Sequence, residues 1–536
     1  MRWFETRGPV YPENNYVVAR TEELADFVSQ LEKGRYIVLF APRQTGKTTL
    51  FRKALNSLQT NEQGYIPIHM NFESYVDISV PDFYSYFCAD ICRKLAEYFQ
   101  IQKNQSSNEI TSFLNNSEMI DHVSIRIFFE QLYSLLRSHH DKQKMILIID
   151  EFDGIPRDAV RGFLHSLRQL YLSGIERCPY SVGIVGVRSI TQLNYDRSIS
   201  PFNIQDEFKL TNFTIEQIQE LFDQYIKESG QQIDSEVFEA IHKQSAGQPF
   251  LVNRFGQIFT EEMKIPIDEP ITMDHFLGAL SQLRREQNTN ISHLTTNIRR
   301  DRRYERLLMK ITSFDDGVEY SLHNELISEL TTYGVIAEDV DGMCKIVNPI
   351  YHYCILQTFK PIINGLEQDY LPDDTLDGFN DYLSSDGQLK MDALIDNFND
   401  FIKRVGFRIL QVPETPKEYV GQYLLFAYLS QFVNLIGGTM FLEVQTGRGR
   451  LDLIILHQSN KYIVETKIWG GDTRYQAGKT RLANYVKLEN ATAGYYVVFD
   501  HRKTPKPLIE SEIIDEITIQ SYVIPVIQEQ PSSDKR

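Results

Sequence analysis

The sequence predicts a multidomain α/β protein: a parallel sheet first, then helices with a small strand pair, then a second α/β unit. Three observations predict it. Short apolar runs rich in strand formers alternate with helical stretches between residues 35 and 185, a pattern that buries a parallel sheet on both faces. Helical periodicity then dominates from Thr214, and strand-like segments return after residue 438. The length of 536 residues also exceeds what one hydrophobic core serves, since cores stop growing at roughly 250–300 residues.

In chain order, residues 35–40 (Arg-Tyr-Ile-Val-Leu-Phe) form the first strand candidate, and a helix from 47 to about 58 follows a short loop. Further buried strands are expected at 65–70, 144–149 and 180–185, with helices at 82–99 and 122–138 between them. The pattern is helical from 214 to 267, interrupted by a Gly247-Gln248-Pro249 turn. Residues 272–287 and 303–360 read as more helices around a strand pair near 335–346, whose turn is Asp339-Val-Asp-Gly342. Helices followed by a small hairpin suggest a winged-helix module. The acidic, turn-rich stretch 365–387 reads as the main linker. The last unit should open with helices at 388–404 and 416–434. Strands near 439–445, 451–457, 461–468 and 494–499 follow, with a helix at 475–489. The expected division is 1–260, 261–364, the linker 365–387, and 388–536.

Composition narrows the class. With 42% hydrophobic and 24% charged residues the chain has the make-up of an ordinary soluble protein. No apolar run of about 18 residues indicates a spanning helix, so no membrane partner is expected. Met1-Arg2-Trp3-Phe4-Glu5 lacks the apolar core of a signal peptide. Five cysteines, with Cys88 and Cys92 on one helical face and no second Cys or His pair beside them, read as free thiols in a reducing cytoplasm. The net charge of −17 excludes a protein that coats nucleic acid by charge alone. Residues 437–506 nevertheless hold eleven Lys/Arg against six Asp/Glu, so any polyanion contact is expected there, unless this is ordinary surface variation.

Ala41-Pro-Arg43-Gln44-Thr45-Gly46-Lys47-Thr48 has the phosphate-loop spacing, with Ala where the first Gly usually stands, and Thr49 continues into the helix. Such a loop curls so that successive backbone N–H groups point at the β-phosphate, and Gly46 allows close approach. Lys47 reaches the β/γ oxygens, Thr48 presents its hydroxyl to Mg²⁺, and the helix directs its positive end at the phosphates. The second element is Met145-Ile-Leu-Ile-Ile149-Asp150-Glu151, carboxylates at the end of a buried strand. Asp150 is the expected Mg²⁺ holder and Glu151 the residue that polarises the attacking water. Asp153 reads as a surface residue or a secondary partner. Arg188, after the strand at 180–185, would sense the γ-phosphate or close a salt bridge, and Arg43 carries the same ambiguity.

These motifs, with residues 16–24 (Tyr-Val-Val-Ala-Arg20-Thr-Glu22-Glu23-Leu), 200–203 (Ser-Pro-Phe-Asn) and 247–253 (Gly-Gln-Pro249-Phe-Leu-Val-Asn), resemble the AAA-like ATPases close to the STAND class. The resemblance spans roughly residues 10–260. It implies that Arg20 and its acidic neighbours border the nucleotide base. It also implies that the turn at Pro249 sits in a helical lid sensing nucleotide state. Residues 347–351 (Val-Asn-Pro-Ile-Tyr) look like the end of the winged-helix module that such proteins place next.

At the other end, Gly447-Arg448-Gly-Arg450-Leu-Asp452-Leu453 precedes Glu465-Thr466-Lys467. Asp452 starts one strand, while Glu465 and Lys467 share a face of the next, being two apart. Two carboxylates can hold a hard cation such as Mg²⁺, and a neighbouring ammonium can orient water or stabilise developing charge. Exposed strand charges are the alternative. The arrangement resembles the PD-(D/E)XK nuclease superfamily over about residues 388–505, which implies a restriction-endonuclease-like α/β fold. Glu418 would supply the additional metal-side acid, with Glu443 competing. The superfamily often carries a Gln on the following helix. Gln476 is near, but Arg481 holds the more natural place. Lys479, Arg481, Lys487, Arg448 and Arg450 are candidate phosphate contacts, and Tyr485 reads as core.

The expectation is therefore an ATP- and Mg²⁺-binding switch that controls a Mg²⁺-dependent nuclease acting on DNA, in bacterial defence or DNA processing. The alternatives are a STAND-like signalling ATPase whose C-terminal unit binds nucleic acid or protein without cutting, and a motor-like ATPase. Expected partners are ATP and DNA, and a homo-oligomer is left open.

Overall fold

The structure is a computed structural model. It describes residues 1–8, 10–60, 64–101, 108–139, 143–187, 204–286, 302–313, 318–358, 382–384, 387–405, 417–436, 438–446, 449–458 and 460–526. Contacts divide the chain into two compact units. The first is Met1–Gln232 with Gly247–Glu269 and Glu329–Gly334; the second is Ile233–Ala246, Pro270–Ser328 and Val335–Arg536.

The first unit is built on five parallel strands: β1 Tyr36–Phe40, β2 Tyr65–Asn71, β3 Lys144–Asp150, β4 Ser181–Gly186 and β5 Gln205–Glu207. Their order is β2-β3-β4-β1-β5. Alternation along the strands fills two cores. Val38, Leu147, Ile149 and Val182 face one cluster with Phe87, Phe129 and Phe163. Ile37, Leu39, Ile146 and Ile148 face the other with Leu31 and Phe51. Burial on both faces explains why the strands read as unbroken apolar runs. The covering helices are α1 Thr21–Glu32, α2 Lys47–Thr60, α3 Val80–Ile101, α4 Asn108–Asn116, α5 His122–His139 and α6 Arg157–Leu172. Because the strands are parallel, the ends of β1, β3 and β4 open on one rim, where ligands bind in such sheets. Helix α4 and the three-residue strand β5 were not anticipated.

Helix α7, Ile215–Ser229, begins at a capping box between Thr214 and Gln217. Next come α8 Ser235–Ser245 and α9 Pro249–Gln257, the latter continuing into a π-turn over Ile258–Glu262. Helices α10 Met273–Arg285, α11 Arg302–Ser313 and α12 Glu325–Thr332 precede the hairpin β6 Ile336–Glu338 and β7 Cys344–Ile346, and α13 Pro349–Thr358 follows. In that hairpin the Asp339 carboxylate accepts from the backbone of Asp341 and Met343, and Gly342 has φ +78°.

The C-terminal part carries helices α14 Met391–Val405 and α15 Lys417–Leu435 and a six-stranded sheet of order β12-β13-β11-β10-β9-β8. Strands β8 Thr439–Thr446, β9 Gly449–His457 and β10 Asn460–Ile468 form an antiparallel meander. Helix α16, Asp472–Leu488, then crosses to β11 Ala493–Asp500, which lies parallel to β10. β13 Ile517–Pro525 lies parallel to β11, and β12 Leu508–Ile514 closes the edge antiparallel to β13. The last two strands were not foreseen. β9 also begins at Gly449, so Asp452 is its fourth residue rather than its first. Among the described residues no helix is long and apolar enough to cross a membrane.

Candidate nucleotide site and C-terminal carboxylate pair

The loop after β1 is tied to the sheet by Ala41 N–H, which donates to Gly186 O at 3.3 Å. Gln44 and Gly46 have φ of +61° and +90°, the left-handed values that turn the chain into α2. Inside the loop, Thr45 Oγ1 donates to Pro42 O at 2.9 Å, and Lys47 Nζ donates to Ala41 O at 2.8 Å and Pro42 O at 2.7 Å. Lys47 is buried, and burial lowers its pKa to about 8 against the raising effect of Glu151, Asp150 and Asp153. The loop thus holds a desolvated ammonium hydrogen-bonded to carbonyls.

Opposite, Thr48 Oγ1 lies 3.4 Å from Asp150 Oδ2 at the end of β3. Burial raises the pKa of Asp150. Glu151 is raised too, by burial first and by Asp150 second. Glu151 has φ +50°, a backbone conformation that non-glycine residues seldom adopt. Its N–H donates to Asp150 Oδ1 at 3.0 Å. Asp153 Oδ2 accepts the Val187 amide at 2.7 Å, tying the turn after β3 to the end of β4. His69 Nε2 lies 4.0 Å from Asp150 Oδ2. It forms no ion pair, because burial, then Lys94 and Arg52, push its pKa down to about 4. A hydroxyl beside a carboxylate is a hard oxygen set, so Thr48 and Asp150 fit Mg²⁺.

Around the base side, Arg20 is buried with φ +51°. Its guanidinium lies 4.7 Å over the Phe213 ring, donates to Thr211 O at 2.9 Å, and pairs with Glu23 at 3.3 Å. Gly247, at φ +68°, is pressed against Phe213, and the Phe213 amide donates to Gly247 O at 2.8 Å. Gln248 caps α9 through Leu251 N–H at 2.7 Å and reaches Gln44 O at 3.5 Å; Pro249 is the first helical residue. Arg20, Phe213 and Pro249 line a cavity of about 440 Å³ whose wall includes Arg43, Gln44, Gly46, Lys47, Thr48 and Thr49.

At the C-terminal sheet, Asp452 Oδ2 accepts from Thr466 N–H at 2.7 Å and Thr466 Oγ1 at 3.0 Å, which fixes the carboxylate against β10. Glu465 is buried, with Oε1 3.0 Å from Arg481 Nη2 and 3.7 Å from Lys467 Nζ. Arg481 reaches over from α16 with its side chain 47% exposed. Glu465, Lys467 and Arg481 therefore converge, while Asp452 on the adjoining strand is held against Thr466. The Asp452 and Glu465 carboxylates are hard oxygen donors, the kind a divalent cation takes. Among the described residues no group of three His, Cys, Asp or Glu is arranged to hold a metal.

A family model described as the AAA-like domain matches residues 6–352, well over half of the chain. The chain belongs to the AAA-like domain family. A second model, described as a domain of unknown function (DUF8371), matches residues 388–503 of this AAA-like chain. No curated protein matches it. Among solved structures, the Walker-type ATPase of Pyrococcus abyssi is 17% identical with a TM-score of 0.45, covering 66% of this chain and 99% of that one. The Thermotoga maritima RuvB Holliday junction branch migration motor is 17% identical at TM-score 0.32, covering 61% and 91%. The Aeropyrum pernix ORC1 protein in complex with DNA is 15% identical at 0.31, covering 64% and 93%.

Within this AAA-like chain the structure gathers Arg20, Ala41, Arg43, Gln44, Thr45, Gly46, Lys47, Thr48, Thr49, Asp150, Glu151 and Pro249 around one rim. Arg188 lies outside the described residues, as do the segments 200–203 and 365–381 and the side chains of Glu418, Glu443 and Arg450; Arg448 is outside altogether. One expected contact is corrected. Lys479 is 1% exposed and bonded to Glu510 at 2.7 Å and Glu512 at 2.6 Å, so it anchors α16 to β12 and cannot meet a phosphate backbone. Tyr485 is core, as read. Gln476 and Lys487 are exposed on α16. Sequence reasoning missed Thr466, the orienting residue hidden between Glu465 and Lys467. It also missed Glu5–Gly8 and Glu73, which line the cavity from segments without any phosphate motif.

Proposed function

We propose that the chain is an ATP-dependent switch controlling a Mg²⁺-dependent nuclease of the PD-(D/E)XK kind that acts on DNA, in bacterial defence or DNA processing. In this reading residues 1–260 form the ATPase with its lid, 261–364 a winged helix, and 388–536 the nuclease, joined by the linker 365–387. The observation that carries it is the placement of Glu465 beside Lys467 on one strand and of Asp452, on the adjoining one, against Thr466, in a chain that also holds a P-loop site. Mg²⁺ bound at Thr48 and Asp150 would supply charge neutralisation for the phosphates. Lys47 binds their oxygens, and Glu151 takes the proton of the attacking water. At the far site Asp452 and Glu465 would hold the cation and Lys467 would orient the water, while Thr466 keeps Asp452 in place. Glu418 is the further metal-side acid of this reading, and Arg188 the γ-phosphate sensor.

Coupling is supported by ties inside the second unit. Lys243 of α8 pairs with Glu489 at 3.5 Å. Arg284 of α10 donates to Met440 O at 2.5 Å and to Gln244 at 3.2 Å. Helices α8 and α10, which flank the Gly247–Pro249 turn in sequence, are thereby fastened to the C-terminal part that carries Asp452. The test is plasmid cleavage with ATP, ADP or no nucleotide, by wild type and by Asp452→Ala, Lys467→Ala and Lys47→Ala. Nucleotide-dependent cutting that each change abolishes is expected; undiminished cutting by the first two sinks the assigned site.

One observation favours a second reading, a signalling ATPase whose C-terminal unit binds without cutting. The Glu465 carboxylate is already neutralised by Arg481 at 3.0 Å. Pure protein that binds DNA under every nucleotide state and never cleaves it would select this reading.

A further inference from the structure

The six-stranded sheet ends on β12, which pairs with β13 on one side. Among the described residues no strand pairs with its other edge. Such an edge presents a row of backbone N–H and C=O groups to any second strand, and proteins usually blunt it with lysine, proline, a bulge or a covering loop. β12 contains neither lysine nor proline, and its charged residues, Glu510 and Glu512, are both engaged by Lys479 of the same chain. It reads Leu-Ile-Glu-Ser-Glu-Ile-Ile, with Leu508, Ile509 and Ile513 exposed by 40%, 51% and 74%. Large apolar side chains on an open edge call for a partner.

The strand itself says which partner. Its residue order is symmetric about Ser511: Glu510 and Glu512 flank it, then Ile509 and Ile513, then Leu508 and Ile514. Antiparallel pairing of β12 with β12 of a second copy, about a twofold axis at Ser511, sets Ile509 opposite Ile513 and Leu508 opposite Ile514. Apolar pairs directly opposite one another are the unit of sheet stabilisation. The same register sets Glu510 opposite Glu512, and like charges in that position repel. Here the repulsion is reduced: Lys479 Nζ lies 2.7 Å from Glu510 and 2.6 Å from Glu512 within each copy, so one ammonium offsets part of the two carboxylates' charge before the strands meet. Ile509 and Ile513, one residue out of phase, lie on the opposite face from these glutamates.

We propose that β12 is a homodimer interface, an isologous strand pair that joins two six-stranded sheets into one continuous sheet. The proposal stands apart from the nuclease reading, because it needs no metal and no substrate. Sedimentation velocity of the full chain at micromolar concentrations should show a dimer. The Ile509→Lys, Ile513→Lys double variant changes only exposed side chains and should fold as wild type by circular dichroism. It should dissociate with a constant raised roughly a hundredfold, since each dimer gains four charges along one seam. Ser511→Cys should cross-link to itself with a short bis-maleimide, because residues opposite across antiparallel strands have Cβ atoms about 5 Å apart. Wild type, with its own five cysteines, provides the background for that reaction. A monomeric wild type overturns the proposal. So does a dimer indifferent to the lysines and without the Ser511→Cys cross-link. Monomer whose β12 amides are protected from hydrogen exchange also overturns it, since another segment of the same chain then covers the edge.

Discussion

Nucleotide affinity should weaken as pH rises through about 8, and the cause is one buried ammonium. Lys47 ordinarily titrates at 10.5, and burial lowers it to about 8. At about 1.4 kcal/mol per pH unit, that gap amounts to about 3 kcal/mol set against the protonated, nucleotide-free protein. Below pH 8 both the folded and the unfolded chain hold the proton, so the cost is carried in full. Between about 8 and 10.5 the folded chain has shed it and the unfolded chain has not, so stability of the empty protein rises with pH across that window. Phosphate oxygens reverse the balance by giving the ammonium anionic partners, so binding above pH 8 must take up a proton. For a group titrating at about 8, uptake is about 0.1 proton at pH 7 and about 0.9 at pH 9, and affinity falls about tenfold between them. Isothermal titration of ATP·Mg²⁺ at both pH values, in two buffers of different ionisation heat, reads uptake and affinity together. Lys47→Arg, charged throughout, should abolish the uptake. Wild type with level affinity and no proton uptake at pH 9 would refute the burial argument.

Two substitutions probe the same reasoning elsewhere. Gly247→Ala places Cβ 1.8 Å from Phe213 O at φ +68°, whereas Gly230→Ala, at φ +80°, meets nothing within 4 Å. Thermal unfolding should show a loss of roughly 1 kcal/mol for Gly230→Ala and at least about twice that for Gly247→Ala, and ATP affinity should fall for Gly247→Ala alone; equal losses would contradict the lid geometry. Lys479→Met removes the ammonium that holds Glu510 below the usual carboxylate range. That support is present above the ordinary glutamate pKa and is lost as pH falls through the depressed one. The variant should therefore unfold more easily at pH 7 and differ less from wild type in acid, with DNA affinity unchanged; a drop in DNA affinity at full folding would restore Lys479 as a phosphate contact.

Elements that bury both faces were legible because nothing but apolar residues can fill them, as in Met145–Ile149. The P-loop was legible because backbone geometry fixes its spacing, and the structure sets Lys47 against the loop carbonyls and Thr48 beside Asp150. β5 and β12 were not. Gln205–Glu207 has no apolar residue to mark it. The alternation in β12 is inverted, with glutamates on the covered face serving a buried lysine. Lys479 was misread for the same reason, since a lysine beside an arginine in a basic stretch looks solvated until its partners, some thirty residues away, are in place. Thr466 was hidden because its role lies in one hydroxyl and one amide directed at Asp452.

The basic stretch that motivated nucleic-acid binding shrinks when partners are counted. Among the described residues, five of its eleven Lys and Arg are paired with carboxylates: Lys461 with Glu489, Lys467 and Arg481 with Glu465, Lys479 with Glu510 and Glu512, and Arg502 with Asp500. The other six are Arg448, Arg450, Arg474, Lys487, Lys503 and Lys506. A net charge of −17 gives the chain as a whole no attraction for a polyanion. If DNA binds at this sheet, six phosphate contacts set the ceiling, and the slope of log K against log salt should be no steeper than about −5. Fluorescence anisotropy of a short duplex across a salt series, with Ca²⁺ present to allow binding without cleavage, measures it. A slope of −8 or beyond, on the order of the steepest known binders, would place the DNA on residues outside this stretch and remove the electrostatic support from the C-terminal site.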